Sequence, residues 1–247
     1  MAKLKKEEAQ WHTQAEELLK KDELTHDDKL FIFEHWQESA NNVNSLHGAF
    51  FTPWDLAADF AIEANFYKDA RIIDLCAGIG VLSYAIQNLH KNRDMELDIV
   101  CVERNLQYVE IGKKILPNAA WIESDIFELP DLGRFDMAIS NPPFGRIKAD
   151  GKPPRYTGPE FDFKIIDLAA DLADFGAFIL PAGSTPFMYS GRPFYERCEN
   201  NKYKRFFKDT GIYLDVGSGQ DTSAYKDSWK GTSVMTEVVT ADFTERV

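Results

Sequence analysis

The chain contains 247 residues, of which 44% are hydrophobic and 28% are charged, so its length and composition suit one globular α/β domain with a substantial core. Its net charge of −12 argues against strong non-specific binding to nucleic acid. No stretch approaches the roughly 18 uncharged apolar residues of a membrane span, and the lysine-rich start leads into acidic residues instead of a signal-peptide core. We therefore expect a cytoplasmic protein with no membrane partner.

Cysteine and histidine usage predicts no metal site. Cys76, Cys101 and Cys198 form an odd, scattered set, which fits a reduced compartment and gives no zinc-ligand spacing. The five histidines show no ligand pattern either.

Two helices are predicted at the N-terminus. Residues 4–21 form a charged amphipathic pattern, and a second helix begins near Thr25. The apolar residues of this second helix are Leu30, Phe31, Phe33 and Trp36. The segment 41–47 that follows is polar. We predict an N-terminal helical extension at residues 1–45 and one α/β domain at residues 46–247.

A third helix is predicted directly after Phe51. Thr52 is a favourable N-cap residue and Pro53 suits the first helical position. Asp55 adds an acid to the first turn, and the helix then runs through Leu56, Phe60 and Ile62. A well-capped helix alone would explain Thr52 and Pro53.

A strand, a small-residue turn and a helix follow in succession. Ile72 and Ile73 begin a short buried strand, residues 76–80 form the turn, and residues 81–89 have helical periodicity. Glycines in such a turn allow a cofactor to approach the backbone and permit close packing of helix on strand. Because Ser83 stands at the third position of the dinucleotide fingerprint, a nicotinamide cofactor is disfavoured.

Carboxylates follow three predicted strands. Asp74 ends the first strand and Glu103 ends the second, and Asp125, with the apolar Ile126 beside it, comes after a short third strand. An acid at the end of the second strand can accept hydrogen bonds from both ribose hydroxyls of a nucleoside. Each acid taken singly reads as an ordinary strand-end carboxylate, but at these spacings, and followed by Asn141-Pro142-Pro143-Phe144, the joint chance of coincidence is small.

The tetrapeptide Asn141-Pro142-Pro143-Phe144 follows an apolar strand at residues 135–140. Two prolines cannot donate to a sheet ladder, so the strand must end there, and Pro142 holds Asn141 in an extended conformation. This stiff turn presents the Asn141 amide, the Pro142 carbonyl and the Phe144 ring to one small volume. Two hydrogen-bond acceptors beside an aromatic ring suit a planar group that carries an NH2.

The remaining elements are predicted from hydrophobic periodicity and from the Gly and Pro residues that interrupt it. They are a loop at 145–159, a helix at 161–173, a strand at 177–180, a helix at 193–208, and strands at 212–216 and 233–243.

Two basic segments follow the proline turn. The cations of the first are Arg146, Lys148, Lys152 and Arg155, against Asp150 alone. The second segment, residues 192–208, mixes six cations with aromatic side chains. Basic residues interleaved with aromatics suit contact with a nucleic-acid backbone and stacking on its bases. An amphipathic helix with its aromatics in the core explains the second segment equally well.

The strand that ends in Asp74, followed by Gly78-Ile79-Gly80, resembles motif I of the class I S-adenosylmethionine (SAM) methyltransferases. This resemblance implies a Rossmann-like sheet of seven strands with helices on both faces, an antiparallel final pair, and SAM as the cofactor. In that family the residue at Asp125 meets the adenine amino group, and an apolar neighbour such as Ile126 lies against the ring.

Phe51-Thr52-Pro53 resembles the Phe/Tyr-x-Thr-Pro segment of adenine-N6 DNA methyltransferases, which folds over the methionine part of SAM. The order of this segment, motif I and then Asn-Pro-Pro-Phe is that of their gamma-type arrangement. The resemblance implies that Asn141, Pro142, Pro143 and Phe144 are catalytic. The cofactor-binding residues that it implies are Phe51, Thr52, Pro53, Asp74, Ala77, Gly78, Gly80, Glu103, Asp125, Ile126 and Asn141.

Four functional hypotheses follow from the resemblance. The favoured one is N6 methylation of adenine in DNA. Small ribosomal-RNA adenine methyltransferases also resemble the Asn-Pro-Pro-Phe-Gly segment, and release-factor glutamine methyltransferases share the Asn-Pro-Pro turn but carry Tyr where this chain has Phe144. The fourth hypothesis is a SAM-binding module without activity. Because no separate target-recognition domain is evident, sequence discrimination is expected to be modest or to come from a protein partner.

Overall fold

A computed structural model describes residues 5–37, 50–147, 151–230 and 232–245. Its helices are α1 (Lys6–Leu18), α2 (His26–His35), α3 (Trp54–Phe60), α4 (Val81–His90), α5 (Leu106–Ile115), α6 (Phe161–Leu172) and α7 (Asn201–Thr210). Its strands are β1 (Ala70–Leu75), β2 (Leu97–Glu103), β3 (Ala120–Glu123), β4 (Phe135–Ser140), β5 (Ala173–Pro181), β6 (Phe187–Met188), β7 (Glu196–Arg197) and β8 (Thr236–Asp242). Across these ranges, no helix combines the length and the apolarity needed to cross a bilayer.

Six strands form the main sheet in the order β3-β2-β1-β4-β5-β8. The first five are parallel, and β8 runs antiparallel to β5. The strand order reverses between the neighbours β1 and β4, and such a switch point opens a crevice at the carboxyl ends of the strands. Asp74, near the end of β1, and Asn141, directly after β4, therefore lie at the same edge of the sheet.

Helices cover both faces of this sheet, which confirms the predicted Rossmann-like α/β class. Successive residues of a strand point to opposite faces. Accordingly, Ile72 packs in a cluster with residues of α1 to α5, whereas Ile73 packs in a second cluster with α6 and α7.

The two predicted N-terminal helices are present as α1 and α2. The Thr25 hydroxyl accepts from the backbone N–H of Asp28 and so caps α2, and Ala15, Ile32 and Trp36 are fully buried in the cluster that contains Ile72. The helical pair thus shares its core with the sheet. The predicted linker at 41–47 and the boundary at residue 45 lie outside the described residues.

Within the described ranges the main sheet has six strands and residues 212–216 are not one of them, so the predicted strand there is wrong. This segment contributes a single antiparallel bridge, in which Asp215 and Thr240 exchange backbone hydrogen bonds of 2.9 Å beside β8. Two features limit the pairing. The Tyr203 hydroxyl accepts the Leu214 backbone N–H, and the chain turns at Gly217, whose φ is +58°.

The predicted helix at 193–208 is shorter than expected. The helix α7 begins only at Asn201, because the Asn200 side chain accepts from the backbone N–H of Tyr203 and sets the N-cap. The residues ahead of it instead form β7, which pairs antiparallel with β6.

The strand predicted at 177–180 is longer than expected, since residues from Ala173 onward already pair with β4. The helix α3 is shorter: it ends at Phe60, and a 3-10 turn at Ala61–Ala64 carries Ile62, which is half exposed.

Candidate functional site

The turn between β1 and α4 has an unusual backbone. Gly78 and Gly80 have φ values of +58° and +86°, and Cys76 has φ +63°, which is costly for a residue with a Cβ. A hydrogen bond joins this turn to β2, since the Ala77 N–H donates to the Val102 carbonyl at 2.9 Å. A left-handed turn at the end of a central strand leaves backbone open to close approach by a ligand.

Glu103, the last residue of β2, stabilises this turn by hydrogen bonds. Its Oε2 accepts the backbone N–H of Gly78 at 2.9 Å and its Oε1 accepts that of Asn105 at 2.8 Å. Burial raises the pKa of Glu103, while these two backbone hydrogen bonds act in the opposite direction. Because a carboxylate oxygen can accept more than one hydrogen bond, each oxygen retains capacity for a ligand hydroxyl.

Asp74 lies beneath the turn and is almost completely buried. Its Oδ2 accepts the Ser83 hydroxyl at 2.7 Å, and its Oδ1 is buried without a hydrogen-bond partner among the described residues. Burial raises the pKa of Asp74 to about 7, and the nearby Glu103 carboxylate adds to the increase. Ser83, whose presence in the sequence argued against a nicotinamide cofactor, therefore orients the Asp74 carboxylate.

Asn141 connects the turn after β4 to the segment before α3. Its Nδ2 donates to the Phe50 carbonyl and to the Thr52 hydroxyl, both at 3.0 Å. A carbonyl can only accept, so the Asn141 nitrogen must face Phe50 and the oxygen must face away. That oxygen is buried, with no hydrogen-bond partner in the described parts of the chain.

Thr52 does not cap α3 as predicted. The N-cap residue is Pro53, without a side-chain hydrogen bond. The Thr52 hydroxyl is instead engaged by Asn141, 89 positions away in the chain.

A pocket lies where these segments meet. The residues that line it are Phe50, Phe51, Thr52, Asp74, Cys76, Ala77, Gly78, Val81, Leu82 and Asn141. The structure thus brings together six of the predicted cofactor-binding residues, from three separate parts of the chain.

The other predicted cofactor residues lie further out. Gly80 starts α4, where an added Cβ would be 2.9 Å from Leu116 Cδ1. Asp125 Oδ1 accepts from the Phe127 N–H at 3.0 Å, and Ile126 is buried in the core cluster on the α6 and α7 side. The predicted residues that do not line the pocket are Pro53, Gly80, Glu103, Asp125 and Ile126.

The turn after β4 carries an aromatic contact that sequence reasoning missed. Phe144 is half buried and meets Trp229 in a T-shaped arrangement, with ring centroids 6.0 Å apart and an interplanar angle of 65°. Trp229 is buried, and its indole N–H has no acceptor within the described ranges. A lone tryptophan 85 residues downstream of Phe144 gave no pattern that could have revealed this contact.

The cations of the basic segments divide between internal ion pairs and exposed positions. Arg155 forms ion pairs with Asp167 at 2.6 Å and with Asp171 at 2.8 Å, so it is withdrawn from the predicted contact surface. Arg146 is exposed, and Lys148 lies outside the described residues.

Different parts of the second basic segment fit the core-helix and the nucleic-acid-contact interpretations. Tyr203 and Phe206 of α7 are buried in the core, as the amphipathic-helix interpretation expects. The loop between β6 and β7 differs: Arg192 is exposed there, and Phe194 is 82% exposed.

Residues 42–152 match the family model of the methyltransferase small domain. The matched range covers less than half of the chain and includes the glycine turn and the Asn-Pro-Pro-Phe segment. Among curated proteins, none matches the chain in sequence.

Several solved structures share the fold. A candidate class I S-adenosylmethionine-dependent methyltransferase from Listeria monocytogenes has a TM-score of 0.63 at 12% identity, over 95% of this chain and 80% of that one. The modification subunit of a candidate type I restriction enzyme from Vibrio vulnificus has a TM-score of 0.61 at 14% identity, over 89% of this chain and 49% of its own. The chain thus spans about half the length of that subunit.

A candidate RNA methyltransferase from Pyrococcus horikoshii has a TM-score of 0.51 at 16% identity, over 88% of this chain and 97% of that one. At these identities the likeness shows the fold. Together with the family match, it confirms SAM as the predicted cofactor and supports a SAM-dependent methyltransferase.

The pocket fits this cofactor chemically. Gly78 allows the Phe51 ring to lie close to its backbone, since an added Cβ would be only 3.0 Å from Phe51 Cε1. The half-buried Glu103 carboxylate, which contacts Gly78, suits ribose hydroxyls. The unpartnered oxygens of Asp74 and Asn141 are acceptors that suit the ammonium and amine groups of a bound cofactor or target.

Proposed function

We propose that this protein transfers a methyl group from SAM to an exocyclic amine nitrogen, and that its target is N6 of adenine in DNA. The observation that carries the proposal is the orientation of the Asn141 amide. Its nitrogen is held by the Phe50 carbonyl and the Thr52 hydroxyl, so its buried oxygen is left to accept a hydrogen bond at the pocket.

In this proposal, two acceptors of the proline turn activate the amine. The N6 lone pair of adenine is delocalised into the ring, which makes the nitrogen a poor nucleophile. The Asn141 oxygen and the Pro142 carbonyl accept its two N–H groups, which favours a pyramidal nitrogen with a localised lone pair. Both acceptors are also aimed at the positive charge that develops on this nitrogen, so they stabilise the transition state more than the ground state. When bound, SAM supplies an electrophilic methyl group on a sulfonium centre.

Phe144 holds the target ring by stacking, at roughly 1–3 kcal/mol per base. Trp229 packs against Phe144 and limits its movement. An adenine in a duplex must first leave the helix, at a cost of a few kcal/mol. No metal ion, covalent nucleophile or histidine base is required, so positioning and fixed acceptors supply much of the acceleration.

The choice of DNA rests on Phe51-Thr52-Pro53 ahead of the glycine turn, in the order of the gamma-type adenine methyltransferases. The hydrogen bond from Asn141 to Thr52 supports it, because it joins this segment to the proline turn. Arg146, after the proline turn, and Arg192 with Phe194, after the carboxyl end of β5, are exposed groups with which a nucleic-acid strand could make contact.

A protein partner that supplies target recognition is part of the proposal. The chain is acidic overall, which weakens its own binding to DNA. The Vibrio vulnificus neighbour, of which the chain covers about half, is itself a subunit of a larger enzyme.

RNA adenine is the second candidate, favoured by one observation. The chain covers almost the whole of the Pyrococcus horikoshii candidate RNA methyltransferase, so the two are similar in extent. A protein glutamine is the third candidate, and Phe144 in place of Tyr counts against it.

Labelling with tritiated SAM tests the proposal. DNA, RNA and protein acceptors are incubated in parallel, and nucleosides are then analysed, with Asn141→Ala as the inactive control. We expect N6-methyldeoxyadenosine. Label found only in N6-methyladenosine of RNA would show that the substrate is RNA and would leave the proposed mechanism unchanged. Label that is unaffected by Asn141→Ala would refute the exocyclic-amine mechanism.

A further inference from the structure

Three aromatic rings pack together above the glycine turn. Trp36 lies 5.7 Å from Phe51 and 5.7 Å from Tyr108, between ring centroids, and Phe51 meets Tyr108 edge-on at 5.1 Å. Trp36 is fully buried. The three rings come from the end of α2, the segment before α3 and α5, so they join parts of the chain that are distant in sequence.

Phe51 is the member of this cluster that reaches the pocket. Its ring covers the backbone of Gly78, since a Cβ added there would be 3.0 Å from Cε1 and 3.2 Å from Cδ1 of Phe51. Phe51 and Gly78 both line the pocket, together with Asn141. The position of the Phe51 ring therefore sets the width of the pocket over the glycine turn.

Trp36 in turn is held from two directions. Its indole N–H donates to Glu16 of α1. Its backbone carbonyl and that of Phe33 accept the Lys230 ammonium at 2.8 Å and 2.6 Å. A cation at the carboxyl end of a helix satisfies otherwise unpaired carbonyl groups and interacts favourably with the helix dipole. The ring is thus held by α1, and the backbone that carries it is held by a segment near the C-terminus.

We propose that Trp36 is a positioning residue of the SAM pocket, that it acts through Phe51, and that the helical pair α1–α2 is therefore part of the cofactor site. A ring that is already ordered costs a ligand less conformational entropy on binding. Because such coupling is reciprocal, SAM bound beneath Phe51 stabilises α2 in return. The inference concerns the cofactor only, so it does not depend on the identity of the methylated target.

Calorimetric titration with SAM alone, without any acceptor, tests the first half of the inference. Replacing Trp36 by Ala removes its contacts with the rings of Phe51, Tyr108 and His12. Aromatic pairs are worth enough to predict SAM binding weakened by about fivefold to tenfold. Trp36→Phe, which retains a ring, should recover most of the affinity. The control is Phe207→Ala, which removes an aromatic ring of α7 that packs on Tyr203 on the opposite side of the sheet, and it should leave SAM affinity unchanged.

A double-mutant cycle separates positioning from simple core packing. If Trp36 acts through Phe51, then Trp36→Ala should cause no further loss of SAM affinity in the Phe51→Ala background. An equal loss in both backgrounds overturns the inference, and so does an unchanged affinity in Trp36→Ala. Thermal unfolding without SAM verifies that each variant is folded.

Hydrogen exchange tests the reciprocal half without relying on the Trp36 variants. SAM should slow exchange of the α2 amides in the unaltered protein, and it should do so much less in Phe51→Ala and in Lys230→Met, which removes the ammonium from the end of α2. SAM binding with no change in α2 exchange would show that the helical pair is structural only.

Discussion

Two turns at neighbouring strand ends are built from opposite backbone chemistry. The turn after β1 contains Gly78 and Gly80 in left-handed conformations, and its Gly78 N–H donates to Glu103. The turn after β4 contains Pro142 and Pro143, which have no N–H, so the backbone at these two positions offers acceptors only. The first suits close approach by a cofactor and the second suits an amine donor. Adjacent strands of one sheet can thus divide cofactor and target between them.

The largest effect is expected at the proline turn. Asn141→Ala removes a fixed acceptor that would act mainly in the transition state, and the loss of one such group typically lowers kcat by about 100-fold or more. SAM affinity should be largely kept, as measured by calorimetry beside single-turnover methyl transfer. Thr52→Val, which removes only one of the two groups that orient the amide, should give an intermediate rate. Full turnover in Asn141→Ala would refute the proposed division between the turns.

Glu103→Ala, at the glycine turn, should mainly reduce SAM affinity. Hydrogen bonds to a charged group contribute roughly 1.5–3 kcal/mol, so SAM affinity should fall about 10- to 100-fold. Glu123→Ala is the matched control, because Glu123 lies opposite Glu103 in the pairing of β2 with β3 and is exposed. If both variants bind SAM as the unaltered protein does, Glu103 does not contact the ribose.

Two glycines with positive φ, one in each turn, sharpen the comparison further. Gly78→Ala and Gly145→Ala, at φ +58° and +87°, should each lower the free energy of unfolding by about 1 kcal/mol. Only at Gly78 does the new Cβ crowd the Phe51 ring, whereas at Gly145 it meets no atom within 4 Å. SAM affinity should therefore fall in Gly78→Ala alone, and equal affinities in the two variants would argue against the Phe51 cover.

Sequence reasoning located the two turns because their signals are local. Left-handed φ values favour glycine, and consecutive prolines end a strand, so Gly78, Gly80 and the Asn141–Phe144 segment could be placed at strand ends from the letters alone. The parallel order of the sheet followed from the alternation of strands and helices.

Long-range contacts could not be predicted in this way. Thr52 has the side chain of a good N-cap, and only its distant neighbour Asn141 shows that the hydroxyl serves another role. The contacts of Trp36 with Phe51 and of Trp229 with Phe144 join segments that no local periodicity relates. Residues 196–197 read as helix by pattern, and their pairing with β6 overrides that preference.

The expected effect furthest from the transfer chemistry is a dependence of stability on pH that arises beneath the glycine turn. Burial raises the pKa of Asp74 from 3.8 to about 7, so between these values the folded protein keeps a proton that the unfolded chain releases. The free energy of unfolding should therefore decrease as pH rises from about 4 to 7, by at most about 1.4 kcal/mol per pH unit. Asp74→Asn should flatten this slope in urea unfolding without SAM. Asp162→Asn is the comparison, since burial raises the pKa of Asp162 only to about 6 on the opposite face. That variant should retain the decrease between pH 6 and 7, and an equal slope there in both variants would contradict the assignment to Asp74.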